Sequence, residues 1–409
     1  MSHKPSQTTP KADAKAALLP KLRFPEFRST DGWKVLTGNR LFEQISDKKP
    51  EPGLPVLAIT QEHGAIPRDM IDYHVSVTEK SIESYKVVRP GDFIISLRSF
   101  QGGIEYSQYH GICSPAYVVL RRRGDGSDAY FKHYLKTEIF IQILTKNLEG
   151  LRDGKMVSYK QFSELQFPVA SAVEQQKIAD CLGSVDELIA VQARKVAVLK
   201  THKKGLMQQL FPCGGETQPR LRFPEFQDAG EWVTKKLGEI AEVVASGDLD
   251  SEQYSSNRSG KFIHPVYANG VESEGLYGYY AIPRYQRNSI TITARGTLGI
   301  AFLRHQNFMG IGRLIVASPA QGVNSHFLKE CWSHLARIPH EVTSIPQLTA
   351  VTARATVLPF PPLHEQKRIS DCLTFIDDTI AAENKRLETL KTHKKGLMQQ
   401  LFPSLEEAR

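Results

Sequence analysis

The sequence lacks the motifs that define several common classes of protein. Its five cysteines show no C-x-x-C spacing, so we predict neither a zinc site nor a disulfide framework, and reduced cysteines are typical of the cytoplasm. No apolar run approaches the roughly eighteen residues of a membrane span, and no apolar signal core follows the basic N-terminus. We therefore expect a soluble, cytoplasmic protein with no membrane contact.

Motifs for catalysis are missing as well. The sequence has no G-x-x-x-x-G-K-[ST] loop for ATP and no glycine-rich cofactor loop after a strand. The run FPPL at 360–363 shares only its prolines with the Asn/Asp-Pro-Pro-aromatic motif of adenine methyltransferases, and no second histidine follows His340 at metal-binding spacing. We expect no catalytic residue, no metal and no cofactor bound by this chain.

Three motifs occur twice in the chain. They are LRFPEF at 22–27 and 221–226, EQQKIADCL at 174–182, which returns as EQKRISDCL at 365–373, and LKTHKKGLMQQLFP at 199–212 and 390–403. From the Glu-Gln motif to the final proline the copies keep a constant offset of 191 residues. Between LRFPEF and the Glu-Gln motif they differ in length, and little of their sequence aligns. Each copy therefore combines a divergent domain with a segment of fixed length.

Both fixed segments show the heptad spacing of a coiled coil, with apolar residues at alternating intervals of four and three. The predicted seam consists of Ile178, Leu182, Val185, Ile189 and Leu199 in the first segment and Ile369, Leu373, Ile376, Ile380 and Leu390 in the second. Each helix is predicted to end at a Phe-Pro dipeptide, because proline cannot continue a helix. If one compact domain joins them, the helices are antiparallel, and the final Leu-Phe-Pro lies near the first LRFPEF. A coiled coil between separate chains is the alternative.

These patterns predict an α+β fold in which two mixed α/β domains are separated by two long antiparallel coiled-coil helices, with an internal pseudo-two-fold repeat. Predicted strands include Gly91–Leu97, Ala116–Leu120, Ser289–Thr293 and Leu314–Val316, and predicted helices include Tyr130–Leu148 and Ser325–Leu335. The predicted boundaries are a flexible N-terminal tail at 1–20, a first domain at 21–170, a first helix at 171–212, a second domain at 213–360, a second helix at 361–403 and a C-terminal tail at 404–409.

The net charge of +8 and the pI near 9.1 favour an anionic partner. Loops bearing arginine and glycine follow predicted strands in both domains, and arginine can bind guanine or phosphate, while glutamine can pair with adenine. The candidate DNA contacts are Arg98, Ser99, Gln101, Gly102, Arg152 and Lys155 in the first domain and Asn269, Arg295, Thr297, Gln347, Thr349 and Arg354 in the second. The stretches Thr60–His63 and Tyr267–Gly270 are further candidates. The alternative is a set of tight turns with solvated arginines, which is the interpretation we prefer for Arg121–Arg123.

From Leu22 to Pro403, the sequence resembles the specificity subunit of type I restriction–modification systems. The resemblance depends on the repeated Glu-Gln-x-x-Ile-x-x-x-Leu motif, on Pro361–Gln366, which matches the family's Pro-Pro-Leu-x-Glu-Gln, and on the LKTHKKGLMQQLFP ending. The first copy departs from this pattern at Val169–Gln175, so its helix entry is expected to differ.

The resemblance implies a non-catalytic subunit whose two target-recognition domains each bind half of a bipartite, asymmetric sequence in double-stranded DNA. The length of the helices would set the unspecified gap. It also implies partners: two modification subunits that use S-adenosylmethionine to methylate adenine, and restriction subunits that use ATP and Mg²⁺. Three alternatives remain open, namely a stand-alone DNA-binding regulator, an enzyme in its own right and a non-catalytic coiled-coil adaptor.

Overall fold

The computed structural model describes residues 18–71, 84–97, 99–146, 157–213, 216–337 and 347–405. The chain divides into two compact units: unit 1 comprises Met1–Ala193 with Arg386–Arg409, and unit 2 comprises Arg194–Lys385. Both units include parts of the two long helices, which the sequence-based boundaries treat as separate segments. The fold is mixed α/β in each unit.

The strands of unit 1 form one four-stranded antiparallel sheet and several two-stranded pairs. The sheet has the order β2-β9-β6-β7, and β1 pairs with β10, β3 with β4 and β5 with β8. The strands are β1 Lys34–Thr37, β2 Phe42–Ile45, β3 Leu57–Thr60, β4 Gly64–Pro67, β5 Lys86–Val88, β6 Phe93–Ile95, β7 Glu105–Tyr106, β8 Gly111–Cys113, β9 Val118–Arg122 and β10 Gln166–Val169.

The helices of unit 1 cover a core that is rich in phenylalanine. They are α1 Gly38–Leu41, α2 Ser99–Gly102, α3 Asp128–Tyr134, α4 Glu138–Lys146, α5 Tyr159–Glu164 and the first part of α6, Ala172–Leu210. Phe42 lies at the centre of this core, and its ring packs edge-to-face against Phe93, Phe131 and Phe162 at centroid distances of 5.2–5.5 Å. Such aromatic contacts add to the stabilisation from apolar burial.

Unit 2 has two four-stranded sheets. Their orders are β12-β19-β16-β17 and β13-β15-β14-β18, and β11 pairs with β20. The strands are β11 Val233–Lys236, β12 Ala241–Ala245, β13 Tyr254–Ser255, β14 His264–Tyr267, β15 Leu276–Tyr280, β16 Ile290–Ile292, β17 Ala301–Leu303, β18 Met309–Gly310, β19 Ile315–Pro319 and β20 Val357–Phe360. The helices are α7 Leu237–Ile240, α8 Ser325–Leu335, α9 Ala350–Ala355 and α10 Leu363–Leu401, whose final part belongs to unit 1.

The structure confirms the predicted helix at Ser325–Leu335 and corrects the one at Tyr130–Leu148. The second prediction covers two helices, α3 and α4, that are separated at Leu135–Thr137. The Thr137 hydroxyl accepts a hydrogen bond from the Phe140 amide at 3.2 Å. A threonine that satisfies an amide at the start of a helix favours a new helix N-terminus over continuation. Apolar periodicity does not detect such a break.

The long helices α6 and α10 each contain 39 residues. The Glu174 amide donates to the Ser171 hydroxyl at 3.3 Å, which is one half of a capping box. The predicted seam residues are most buried near the start of each helix, where they join the core of the adjoining domain. Buried members are Ile178, Leu182, Val185, Ile369, Leu373 and Ile376, and partly buried members are Ile189, Leu199, Ile380 and Leu390.

Candidate nucleic-acid interface

The repeated LRFPEF motif is attached to the end of a long helix in each unit. The Leu22 amide donates to the Gln400 carbonyl in unit 1, and the Leu221 amide donates to the Gln209 carbonyl in unit 2, both at 2.9 Å. The predicted proximity of the final Leu-Phe-Pro to the first LRFPEF is therefore confirmed. These contacts stabilise each unit.

The glutamine of the repeated Glu-Gln motif is also used inside each unit. The Gln175 side-chain oxygen accepts from the amide of Ser127, the residue that caps α3, at 3.1 Å. The Gln366 oxygen accepts from the amide of Asn324, which caps α8, at 2.9 Å. Each long helix is thus fixed to a helix of the adjoining divergent domain. The motif positions that domain.

Charged side chains connect the two long helices and α3 within unit 1. The Lys394 ammonium lies 2.6 Å from Asp186 Oδ1, and His133 Nδ1 lies 3.9 Å from Asp186 Oδ2. Burial and the neighbouring Lys394 lower the pKa of His133 to about 4, against the opposing effect of Asp186. His133 is therefore neutral at pH 7 and acts as a packed, uncharged member of this group.

The corresponding group in unit 2 brings three possible metal ligands together, His326, Glu330 and Asp377. The Lys203 ammonium already lies 2.7 Å from Asp377 Oδ2 and 3.2 Å from Glu330 Oε1. The Lys329 ammonium lies 2.7 Å from Glu330 as well. Because two ammonium groups neutralise these carboxylates, the arrangement supports an ion-pair network better than a cation site.

The predicted DNA contacts of unit 1 are only partly described. Arg98, Arg152 and Lys155 lie outside the described residues. Ser99 is only 1% exposed, and its hydroxyl accepts from the Ser96 amide at 2.8 Å, so it stabilises the backbone of the loop. Gln101 is exposed at the same loop and is available for contact with a ligand.

Lys136 connects two candidate contact segments of unit 1. Its ammonium donates to the carbonyl of Gly102 at 3.0 Å and to the carbonyl of Gln61 at 3.4 Å. It also lies 2.5 Å from the carboxylate of Glu105, which is 2% exposed. Burial raises the pKa of Glu105 and lowers that of Lys136. A lysine that no spacing pattern singles out therefore holds the Ser99–Gly102 and Thr60–His63 segments together.

A cavity of about 760 Å³ lies beside these segments of unit 1. Its lining includes the predicted stretch Thr60–His63 and Tyr117. It also includes Ser96 and Leu97, the two residues immediately before Arg98. The lining mixes hydroxyl, amide, imidazole and apolar groups with the carboxylates of Glu62 and Glu105 and the guanidinium of Arg68. A surface of this kind offers both donors and acceptors to the edges of bases.

In unit 2, backbone pairing brings two of the predicted contact loops together. Arg295 forms an isolated antiparallel bridge with Gln347, and the Leu348 amide donates to the Ala294 carbonyl at 3.0 Å. The side chains of Arg295, Thr297 and Gln347 are exposed, and none makes a hydrogen bond or ion pair with the part of the chain that the structure describes. These three residues form a polar, basic surface that is open to a ligand.

The other predicted contacts of unit 2 have partners within the chain. Asn269 bonds to two backbone groups, the Thr349 hydroxyl caps α9 by accepting from the Thr352 amide at 3.1 Å, and Arg354 donates twice to the Val243 carbonyl, at 2.8 and 2.6 Å. These contacts support the fold around the exposed loops. Whether the residues also touch DNA stays a prediction.

The side chains of the arginine run Arg121–Arg123 are 35%, 15% and 53% exposed, and each has an ion-pair partner. Its members form ion pairs with Asp92, Asp128 and Glu43 in chain order. Sequence reasoning also missed Arg313, which is exposed and follows Gly312 in a tight turn. The Gly-Arg pair after a strand is the pattern that could have drawn attention to it.

No helix among the described residues is long and apolar enough to cross a membrane.

Comparisons with known proteins find similarity to one family. A model described as the type I restriction modification DNA specificity domain matches residues 229–392. The putative type I restriction enzyme MjaX specificity subunit of Methanocaldococcus jannaschii is 23% identical over 404 residues, covering 91% of this chain and 93% of that protein. The putative type I specificity subunit S.MpnORF507P of Mycoplasma pneumoniae is 23% identical over 298 residues, covering 71% and 77%.

Solved structures show the same fold. The type I restriction–modification S subunit from M. genitalium superposes with a TM-score of 0.58 at 17% identity, covering 95% of this chain and all of that one. A chain from a study of complex assembly in the type I R-M system superposes with a TM-score of 0.55 at 18% identity, covering 91% and 98%. Together with the sequence matches, these likenesses make the chain similar to type I restriction–modification specificity subunits along most of its length, and the solved structures show that the fold is shared.

Proposed function

We propose that this chain is the DNA-recognition subunit of a type I restriction–modification complex, and that each unit binds one half of a bipartite, asymmetric target. The observation that carries the proposal is the exposed group of Arg295, Thr297 and Gln347 in unit 2, inside the segment that the family model matches. Their side chains are unpaired within the described chain, and arginine and glutamine are the residues that most often bind guanine and adenine.

The two units differ where they would touch DNA, which supports two different half-sites. Unit 1 has the short helix Ser99–Gly102 after its central strand β6, beside the cavity. Unit 2 has an irregular turn after the matching strand β16, with Gly296 at a φ of 68°. Because the supporting contacts at LRFPEF and Glu-Gln recur while these loops do not, specificity belongs to the loops.

The long helices would act as an antiparallel coiled-coil spacer that relates the two copies of the repeat and sets the gap between half-sites. Contacts within unit 2 support this part of the proposal. The Lys195 ammonium lies 2.5 Å from Glu383, and the Lys203 ammonium lies 2.7 Å from Asp377. Residue numbers rise along one helix as they fall along the other, which is the relation that antiparallel packing produces.

The chemistry would belong to partner subunits in the cytoplasm. We propose that the chain itself binds neither S-adenosylmethionine nor ATP nor Mg²⁺. Two modification subunits would methylate adenine within the target that this chain selects, and restriction subunits would translocate and cleave unmodified DNA. In each unit, the side chains at the Glu-Gln and LRFPEF motifs serve the fold, whereas the loops bind DNA.

Mapping methylated adenine across the source genome, with and without this gene, tests the proposed function. We expect methylation at one split motif to disappear on deletion and to return when the gene is supplied again. Unchanged methylation in a cell whose modification subunits are expressed would overturn the proposal. Tight, specific binding by the isolated chain, with no dependence on modification subunits, would instead identify a stand-alone regulator.

A further inference from the structure

A tight turn at Ile311–Leu314 presents an exposed arginine that the predicted DNA contacts do not include. Gly312 and Arg313 have φ angles of 68° and 64°, and the Leu314 amide donates to the Ile311 carbonyl at 3.3 Å. Two successive positive φ angles define a type I′ turn. The left-handed conformation is uncommon for arginine, and residues strained in this way cluster at functional sites.

Asn269 connects this turn to the Arg295 loop. Its side-chain Nδ2 donates to the Gly312 carbonyl at 2.6 Å, and its Oδ1 accepts from the Ala294 amide at 2.7 Å. Since one short planar amide spans both contacts, the backbones of Gly312 and Ala294 are held at a fixed separation. Arg313 and Arg295 each directly follow one of these anchored residues. The two arginines therefore belong to one composite surface.

The backbone of the turn is fixed on both sides. The Gly312 amide donates to the Gly247 carbonyl at 3.1 Å, and the Ser246 amide donates to the Leu314 carbonyl at 2.7 Å. A group that discriminates between bases must be held within about half an ångström of its productive position. A phosphate contact needs no such rigid support, because it carries no sequence information. The turn therefore gives the Arg313 side chain a fixed backbone origin, which is one requirement of a base contact.

The state of the Arg313 side chain contrasts with that of a structural arginine in the same unit. Arg304 is 1% exposed, stacks 3.5 Å from the centroid of the Tyr267 ring and donates to the Thr291 hydroxyl at 2.8 Å. Arg313 is exposed, and its guanidinium has no hydrogen bond or ion pair with the described residues. An unpaired guanidinium can form the bidentate pair with guanine O6 and N7.

We propose that Arg313 contacts a guanine in the half-site bound by unit 2, and that Asn269 is the positioning residue that sets its place relative to Arg295. This rests on the proposed function. In this proposal, the half-site is recognised jointly by two loops that are distant in sequence but joined by the Asn269 side chain. It adds a specificity-determining residue that the motif analysis did not find.

Two substitutions at position 313 test the base contact in the full chain, expressed with its modification subunits. Arg313→Gly removes the side chain but suits the positive φ, so folding is preserved. Arg313→Lys keeps the charge but loses the planar fork. Binding and methylation would be measured on duplexes that carry one changed base pair each. Both variants should lose about tenfold to 100-fold of discrimination at one base pair of the unit 2 half-site.

The opposite pattern would overturn the proposal. If Arg313→Lys keeps full discrimination while Arg313→Gly weakens all duplexes equally and reduces the salt dependence, Arg313 is a phosphate contact. No effect from either variant would also exclude the proposed role. Arg258→Lys, at an exposed arginine of unit 2 outside this turn, is the matched control and should change nothing.

Asn269→Asp tests the positioning role, because the carboxylate keeps the shape of the amide but cannot donate to the Gly312 carbonyl. Discrimination should fall at the base pairs assigned to Arg313 and Arg295 together, with the other half-site unaffected. A uniform loss at both half-sites would show a structural role only. If the wild-type complex discriminates at neither half-site, the proposed function itself fails. If it discriminates normally and the variants do too, only the present inference fails.

Discussion

The Arg23 guanidinium donates from Nε and Nη2 to the two carboxylate oxygens of Glu174, each at 2.8 Å. The side chains are 8% and 1% exposed. Arg222 and Glu365 form the same bidentate pair in unit 2, at 2.7 Å. The arginine of LRFPEF and the glutamate of the Glu-Gln motif are therefore partners in each unit. This pairing explains why the two motifs recur together although they are far apart in sequence.

Breaking the Arg23–Glu174 pair should strongly destabilise unit 1. Arg23→Ala leaves a buried carboxylate without its partner, which costs about 3–5 kcal/mol of unfolding free energy. Urea unfolding of the purified protein measures the loss. The exposed pair of Lys177 and Glu26 provides the control, with side chains 51% and 46% exposed, and Lys177→Ala should cost far less stability because solvent screens an exposed pair. Equal losses for the two variants would contradict the prediction.

The two tryptophans that precede β1 and β11 should respond differently to the same substitution. Trp232 Nε1 donates to the Glu365 carboxylate at 3.2 Å, whereas the buried Trp33 Nε1 makes no hydrogen bond within the described chain. Trp232→Phe loses a hydrogen bond to a charged group, and Trp33→Phe removes an unsatisfied donor. We expect Trp33→Phe to be the less destabilising by about 1–3 kcal/mol, measured by urea unfolding. The opposite order would show that packing dominates at both sites.

The sequence predicts the local elements of this fold but not the contacts between residues that are distant in the chain. Heptad spacing is a local property, and the structure has its long helices, Ala172–Leu210 and Leu363–Leu401, where that spacing occurs. The amide of Asn269, by contrast, bonds to groups 25 and 43 residues away. Its type suggested a DNA contact, which stays a prediction, and its position also makes it a connector of loops. Composition and spacing give no access to such pairings, because they depend on how the strands are ordered in the sheet.

The sequence also does not predict which polar side chains of a loop are exposed, as Ser99 shows. Its place in a loop between an arginine and a glutamine predicts a polar group open to DNA, yet its side chain is buried and bonds to the Ser96 amide. Small hydroxyl residues commonly satisfy nearby backbone amides at helix starts. Gln101, two residues later in the same short helix, is exposed. Which of two neighbouring polar residues faces outward is decided by the core packed beneath them.

Acidification should destabilise unit 1 through His133. Burial and Lys394 lower the pKa of His133 to about 4 in the folded unit, compared with roughly 6.5 in the unfolded chain. Below pH 6.5 the unfolded chain therefore binds a proton that the folded unit does not. The folded unit therefore loses stability as the pH falls from about 6.5 towards 4. Below pH 4 the size of this loss no longer changes. By pH 5.5, the loss is on the order of 1 kcal/mol.

Comparison of unfolding free energies at pH 7.5 and pH 5.5 measures this effect. His133→Gln should reduce the difference in unfolding free energy between the two pH values by roughly 1 kcal/mol, whatever its absolute stability. The same substitution at His202, which is exposed on α6, is the control and should leave the difference unchanged. A His133→Gln protein with the full wild-type pH dependence would mean that other groups produce it.

Alanine substitutions at Arg295 and Arg354 should distinguish an arginine that contacts DNA from an arginine that supports the fold of unit 2. Arg295→Ala removes an exposed, unpaired guanidinium, so it should relax specificity at one base pair by about 1–3 kcal/mol and leave stability unchanged. Arg354→Ala deprives the Val243 carbonyl of two donors, so it should cost about 1–3 kcal/mol of stability and keep the base preference. Competition binding and urea unfolding on the same preparations test both. If Arg354→Ala instead changes the preferred base at full stability, Arg354 reaches the DNA in the complex by giving up its contact with Val243.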